Sequence, residues 1–251
     1  MDLNCDIGEL PGELGRSIDS RLLESVSSAN IACGLHAGNA AIILQTMLQA
    51  RARGIAIGAH VSFDDREGFG RRKLTVSPDI LQAQLFFQLG AIGAIARSVG
   101  AHVSYVKPHG ALYNQVMVDE ALAAVVVNTV SAYSSSLAIL GLPGSALCEE
   151  TARAGLRYVN EAFPDRAYSD DGTLLSRDQP GSVIHDPEIV ARRAREFTQG
   201  FVITESGKRL AIQAESLCLH GDNMAAAEAA LLIRYQLEQG GIDIRPFIST
   251  S

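Results

Sequence analysis

Short runs of β-branched and other apolar residues alternate along this chain with amphipathic segments that close on glycine, a rhythm that predicts successive strand–helix units around a parallel sheet. Asn39 is placed to cap a helix through Ile42, Ile43, Met47 and Leu48 to Gly54, and Ile55 to His60 follows as a buried strand. Ser77-Pro78-Asp79, a cap followed by proline at the first helical position, opens a helix that stops at Gly100, with a strand from His102 to Lys107 behind it. Asp119 begins a helix to about Ser136, Leu137 to Leu140 reads as a strand, and a helix from Ser145 to Ala154 precedes the strand Leu156 to Val159. Asp186-Pro187 restarts a helix that ends at Gly200. Val202 to Thr204 and Leu210 to Ile212 predict a hairpin, Ser216 to Leu219 a strand, and Asn223 to Gln239 the last helix.

Counting Asp2 to Asn4 and Asn30 to Ala32, the strands number about seven or eight, which fits a (β/α) barrel or its seven-stranded variant, with a doubly wound open sheet as the alternative. No Pro/Ser-rich linker divides the 251 residues, so residues 1–251 read as one domain. The chain lacks tryptophan, and Ala, Leu, Ile and Val must fill its interior.

Net charge is −7, and the longest cationic run is Arg71-Arg72-Lys73, which argues against nucleic acid or a membrane surface as partner. Cys5, Cys33, Cys148 and Cys218 are scattered without CxxC spacing, as expected of reduced thiols in a cytoplasmic protein. The amino terminus is acidic where an export signal needs basic and then apolar residues. The weakly polar stretch Ala121 to Val130 is too short to span a bilayer and is broken by Asn128.

His36, His60, His109 and His220 fall at the carboxyl ends of predicted strands, the face on which barrel enzymes keep their catalytic groups. One such histidine more often bonds a nearby carbonyl; four on one rim read as a site. Asp6 and Glu9 follow the first strand, Glu161 and Asp165 follow Tyr158-Val159, and Asp222 adjoins His220. Asp6 and Asp222 weigh most, being nearest the strand ends, where an unpartnered carboxylate would face burial. Lys107-Pro108-His109-Gly110 sets a cation and an imidazole two positions apart across a rigid proline, suited to stabilising an oxyanion and moving a proton. Gly68-Phe69-Gly70-Arg71-Arg72 offers two guanidinium groups to a carboxylate or phosphate. Gly141 to Ser145 is read as an ordinary strand-to-helix turn, and the polar stretch from Glu161 to His185 as an active-site loop or lid. GxxxxGK[ST], a strand-following GxGxxG, HExxH and GxSxG are all absent, and Cys5 and Cys33 read as small buried residues.

Asp2 to Glu9 (DLNCDIGE), Ser28 to Gly34 (SANIACG), Gly58-Ala59-His60, Gly68 to Arg72, Val106 to Asn114 (VKPHGALYN), Glu161 to Arg166 (EAFPDR), Asp171 to Leu174 and His220 to Asn223 (HGDN) resemble, in the same order, the motifs of the LamB/YcsF family. The resemblance spans essentially the whole chain. It departs at Leu35 where Phe is common, at Asn39 where Asp is common, and at Ala40, Val61, Asp64 and Ser176 where Pro is common; Asn39 removes a charge. The resemblance implies a seven-stranded barrel of the glycoside hydrolase/deacetylase type. It also implies one subunit of an ATP-dependent 5-oxoprolinase that opens the lactam of 5-oxoproline to L-glutamate with 5-oxoprolinase subunits B and C. ATP, with magnesium, enters through the resemblance alone. On that reading the catalytic candidates are Asp6, His60, Lys107, His109 and Asp222, and the substrate-binding candidates are Asn4, His36, Arg71, Arg72, Glu161 and His220. Two alternatives stand beside it: a metal-dependent hydrolase such as a carbohydrate deacetylase, with Asp6, His36 and His60 as ligands, and a non-catalytic scaffold subunit.

Overall fold

The structure, a computed structural model, describes residues 1–219 and 224–248. In chain order the strands are β1 (Asp2–Ile7), β2 (Ser28–Ala32), β3 (Ala56–Val61), β4 (Tyr105–Pro108), β5 (Ala138–Gly141), β6 (Tyr158–Ala162), β7 (Phe201–Ile203), β8 (Arg209–Ala211) and β9 (Ser216–Leu219). Strands β1 to β6 and β9 close into a barrel in which every pairing is parallel, β9 sitting between β6 and β1. The antiparallel pair β7–β8 is the expected hairpin and stands outside the barrel.

Eight helices are described: α1 (Gly12–Leu22), α2 (Ala40–Ala52), α3 (Pro78–Ser98), α4 (Gly110–Val116), α5 (Glu120–Tyr133), α6 (Ala146–Arg153), α7 (Pro187–Thr198) and α8 (Met224–Gln239). The cap residues act as the sequence suggests, because each side-chain oxygen accepts from an amide that a first helical turn leaves unpaired. Asn39 accepts from the amides of Ala41 and Ile42, Ser77 from Ile80, Asp119 from Leu122, Ser145 from Cys148, and Asp186 from Glu188 and Ile189. At 21 residues α3 is long and apolar enough to pass for a membrane span, but Leu81, Leu85, Leu89 and Ile92 are buried in the layer that covers the barrel.

Strand alternation sorts the residues into two layers. Leu3, Cys5, Ile7, Ala29 and Ile31 face outward into the helix-covered core, whereas Asp2, Asn4 and Asp6 of β1 and Ser28 and Asn30 of β2 face the lumen and bond one another there. Across the lumen Ala56, Tyr105, Ala138, Leu140 and Val159 form a small apolar cluster against which Phe247 and Ile248 pack. Gly58 makes room for this cluster: a Cβ there would lie 2.2 Å from Cε2 of Tyr105.

Several sequence-based boundaries move. β1 continues to Ile7 and β6 runs from Tyr158 to Ala162, so Asp6 and Glu161 sit within strands and not behind them, while β4 begins at Tyr105 instead of His102. The cause is the polar lumen, which places Asn4, Asp6 and Glu161 at inward positions where alternation ordinarily shows apolar residues. Two helices escaped the sequence reading. In α1, Pro11 at the cap position makes no side-chain cap bond and only Gly15, Ile18, Asp19 and Leu22 are buried; α4 has seven residues and starts inside the Lys107 to Gly110 motif.

Candidate active site

Lys107 projects from β4 into the lumen and is 2% exposed. Its Nζ lies 3.0 Å from Asp6 Oδ1, 2.9 Å from Glu161 Oε1 and 2.8 Å from Cys218 Sγ. Burial alone would lower the pKa of the ammonium, but Asp6, the adjacent Cys218 and Glu161 outweigh it and hold Lys107 charged, well above the ordinary lysine value. The Cys218 thiol is itself pushed up by burial and stays protonated, so the two carboxylates carry the pairing. Beneath them Asn4 donates to Glu161 Oε1 at 3.1 Å and to Ser216 Oγ at 2.7 Å, and accepts from Asn30 Nδ2 at 2.6 Å. Asn4, read from the sequence as substrate-binding, is fully buried and spends its amide fixing the carboxylates under Lys107.

Three of the four rim histidines converge. The rings of His36 and His109 stack with centroids 3.9 Å apart, and His60 meets His109 edge-on at 4.7 Å. His60 also places Nε2 3.3 Å from Asp6 Oδ2. Burial, reinforced by neighbouring imidazoles, pushes His36 and His109 well below the ordinary histidine pKa. The carboxylate at the centre of the imidazoles is Glu9, delivered by a turn at Gly8 (φ 72°) whose amide donates to Asp19 Oδ2. One donor atom each from Glu9, His36, His60 and His109 lies within 4.8 Å of the others, which makes these four the metal-competent group among the described residues. Of the trio Asp6, His36 and His60 weighed from the sequence, His36 and His60 fall in this group with Glu9 and His109, while Asp6 lies 3.3 Å from His60 and faces Lys107 and Asn30 as well.

A cavity of about 540 Å³ opens beside these groups at the carboxyl ends of the strands. Asp6, His60, Lys107 and His109 line it from the barrel, Tyr113 from α4, and Arg71, Arg166 and Arg177 from the loops. His36 stacks against His109 and does not line the cavity itself. The long loop behaves as expected, contributing residues 174–178 to the wall; Arg166 ties it down by donating to the carbonyls of Ser182 and Leu175, and burial lowers the Arg166 pKa to about 10. The two neighbouring arginines part company. Arg71 lies over the ring of Phe69, 5.0 Å from its centroid, and reaches the cavity. Arg72, expected to bind substrate, turns away to Asp65, donating from Nε at 2.7 Å, and the hydrogen bond holds the Asp65 carboxyl below its usual range. Its guanidinium fastens the loop that presents Phe69.

Among the described residues, two polar atoms of the site have no hydrogen-bond partner: the Tyr113 hydroxyl and Glu161 Oε2. Burial, with Glu161 beside it, keeps the Tyr113 hydroxyl protonated and therefore a donor. Sequence reasoning missed Tyr113, Arg166 and Arg177 and undervalued Glu9. Tyr113 stands four residues after His109 on the same helical turn, a spacing that could have found it; nothing in the sequence distinguishes Arg177. His220 and Asp222 lie outside the described residues.

Fold and site together define a seven-stranded parallel (β/α) barrel with a buried cation, paired carboxylates and clustered imidazoles at its carboxyl mouth. Deacetylase-type barrels match in fold alone: a Bacillus subtilis peptidoglycan deacetylase superposes with a TM-score of 0.51 at 12% identity, covering 97% of this chain and 86% of that one. The LamB/YcsF family model matches residues 1–251, and the chain belongs to that family. A Streptomyces avermitilis protein, named as the A subunit of 5-oxoprolinase, is 48% identical over 98% of this chain and 99% of its own length. A Mycobacterium leprae protein of the same name is 47% identical over 98% of each. The crystal structure of a lactam utilization protein from Thermus thermophilus superposes with a TM-score of 0.91 at 42% identity, covering 98% of this chain and 99% of that one.

Proposed function

We propose that this chain is the lactam-opening component of an ATP-dependent 5-oxoprolinase, producing L-glutamate from 5-oxoproline in a complex with partner subunits B and C. The names carried by its relatives supply the substrate class. The observation that carries the reading is Lys107, held charged between Asp6 and Glu161 at the floor of a cavity whose Tyr113 hydroxyl has no partner among the described residues. A cavity of about 540 Å³ with Arg71, Arg166 and Arg177 in its wall suits a small anionic molecule such as a cyclic amino acid.

A five-membered amide is a poor electrophile. Transfer of the γ-phosphoryl group of ATP, with magnesium, to the lactam oxygen gives ADP and an imidate phosphate whose ring carbon accepts water. The ring C–N bond then breaks, the nitrogen leaves as the amine, and the resulting γ-glutamyl phosphate releases inorganic phosphate to a second water. The chain carries no phosphate-loop signature, so phosphoryl transfer is assigned to the partner subunits. Within this chain Lys107 and the Tyr113 hydroxyl face the oxygen on which charge develops, and Asp6, backed by His60, accepts the proton of the attacking water.

Glutamate formation from 5-oxoproline and ATP, assayed with this chain alone and with its partner subunits, tests the reading. Turnover is expected only in the complex. Robust 5-oxoproline-dependent ATP hydrolysis by the chain alone refutes the division of labour, and a complex that forms no glutamate refutes the reaction. Tyr113→Phe removes a hydroxyl that none of the described residues bonds, so turnover should fall by about a hundredfold with an unchanged melting curve. Full activity of that variant would remove Tyr113 from the site.

A further inference from the structure

We infer that the outer face of α3 is an interface at which two copies of this chain pair, α3 against α3 and antiparallel, about a two-fold axis level with Gln88. The inference stands on this helix and its neighbours and holds whether or not the lactam reading does.

Between Asp79 and Arg97 α3 carries no charged residue, although 20% of the chain is charged. Its inner side is spent on the barrel, with Leu81, Leu85, Gln88, Leu89 and Ile92 buried. Its outer side is apolar as well: Ile80 is 53% exposed, Phe86 38% and Phe87 61%. Beside it packs α2, which has no charge from Ala40 to Ala50 and exposes Leu44 and Leu48. Exposed apolar residues scattered singly are ordinary, but an apolar face without charge on two neighbouring helices marks a surface that another molecule covers.

Asp79, Ala83, Phe86, Gly90, Gly93 and Arg97 recur at alternating steps of four and three and so form one stripe along the helix. Phe86 stands up from that stripe. One turn further on, a hollow of about 430 Å³ opens, with Gly90 and Gly93 in its floor and Arg97 and Tyr133 around them. Gly93 is accounted for within the chain, since a Cβ there would lie 2.1 Å from the Tyr133 hydroxyl. Gly90 is not. A Cβ there would meet nothing within 4 Å among the described residues, and glycine in the middle of a helix costs stability relative to alanine. The missing side chain leaves room for a group that arrives from outside.

Rotation about a two-fold axis level with Gln88, the middle of α3, maps the stripe onto itself with the helix reversed. Asp79 then faces Arg97 of the second copy, Ala83 faces Gly93, and Phe86 faces Gly90. The knob meets the hollow and each charge meets its opposite, both twice over because such an interface is isologous. Neither Asp79 nor Arg97 has an ion-pair partner among the described residues. Within one chain they stand about 27 Å apart along the helix, so they meet only across two chains. A partner of another sequence would not require the stripe to mirror itself, which is why a second copy is the occupant that this face fits.

Sedimentation velocity and light scattering of the untagged full chain over a concentration series test the pairing. A monomer–dimer equilibrium is expected, with no larger species, because an isologous contact closes on itself. Phe86→Gln and Gly90→Gln should each weaken association by about a hundredfold, while Val118→Gln, 75% exposed and outside the face, should leave it unchanged. At concentrations where the wild-type chain is monomeric, Gly90→Gln should instead raise the melting temperature, since glutamine is the better helix former. Asp79→Lys and Arg97→Glu should each weaken association by about tenfold, and the double variant should recover it, a rescue that requires the antiparallel register. A wild-type chain that stays monomeric at every concentration overturns the inference, as does association that Gly90→Gln and the single charge reversals leave undiminished. If the chain alone is monomeric and Gly90→Gln abolishes capture of the partner subunits of the proposed function, the face belongs to them and the pairing is overturned too. Should the variants at Phe86 and Gly90 fail to fold, which circular dichroism reports, the charge-reversal rescue at the exposed residues Asp79 and Arg97 decides the matter.

Discussion

The two ends of the barrel lumen are built from the same strands and both hold buried carboxylates, yet they differ in how those carboxylates are satisfied. At the amino end Asp2 accepts from the hydroxyls of Ser27 at 2.6 Å, Ser28 at 2.7 Å and Ser216, all neutral donors already present in the fold. At the carboxyl end Asp6 and Glu161 share a charged lysine, three imidazoles gather round Glu9, and the Tyr113 hydroxyl has no partner among the described residues. A polar cluster closed on itself is structure; one completed by charge, with atoms left over, is a site.

Lys107→Met attacks this contrast at its strongest point. It leaves Asp6 and Glu161 buried without a counter-charge, so urea unfolding should register a loss of about 3–5 kcal/mol. Adding Glu161→Gln to Lys107→Met should recover part of that loss; no recovery would mean that the carboxylates are not held by charge. Asp2→Asn probes the other end with the opposite sign. Burial raises the Asp2 pKa from 3.8 to about 6, so the folded chain binds this proton more tightly than the unfolded chain does. Asp2 carries no penalty below the unfolded value; the penalty grows as pH rises from there to about 6 and persists above it, reaching about 3 kcal/mol. The Asn variant should therefore be the more stable protein at pH 8 and lose that advantage at pH 4. Equal urea midpoint shifts at both pH values would break the account. The smallest effect is expected at the rim, where Asn39→Ala removes a cap from two amides and should cost about 1 kcal/mol in thermal unfolding, with Asn39→Asp neutral or better.

Local chemistry was legible in the sequence wherever one residue decides it. Asn39, Ser77, Asp119, Ser145 and Asp186 each cap the helix they were expected to open, and the strand–helix rhythm led to the barrel. The convergence of His36, His60 and His109 followed from their places at strand ends. What stayed hidden depends on which way a side chain turns. Adjacent arginines diverge because Asp65 captures Arg72, Glu9 reaches the imidazoles only through the left-handed turn at Gly8, and Asn4 drops out of reach because the lumen is polar along β1. A run such as DLNCDI alternates faithfully, but with its hydrophilic phase pointing inward, so pattern alone ends the strand too early.

The stopper at the amino end governs traffic. With Phe247 against Tyr105 at 5.0 Å and Ile248 beside it, the lumen is a cul-de-sac whose floor is Lys107. Among the described residues, Arg71 and residues 174–178 frame the doorway through which a reactant reaches that floor. On the proposed division of labour, a partner that hands an activated reactant to this floor does so across that threshold, and its docked position either leaves the doorway ajar between turnovers or forms the rest of its frame.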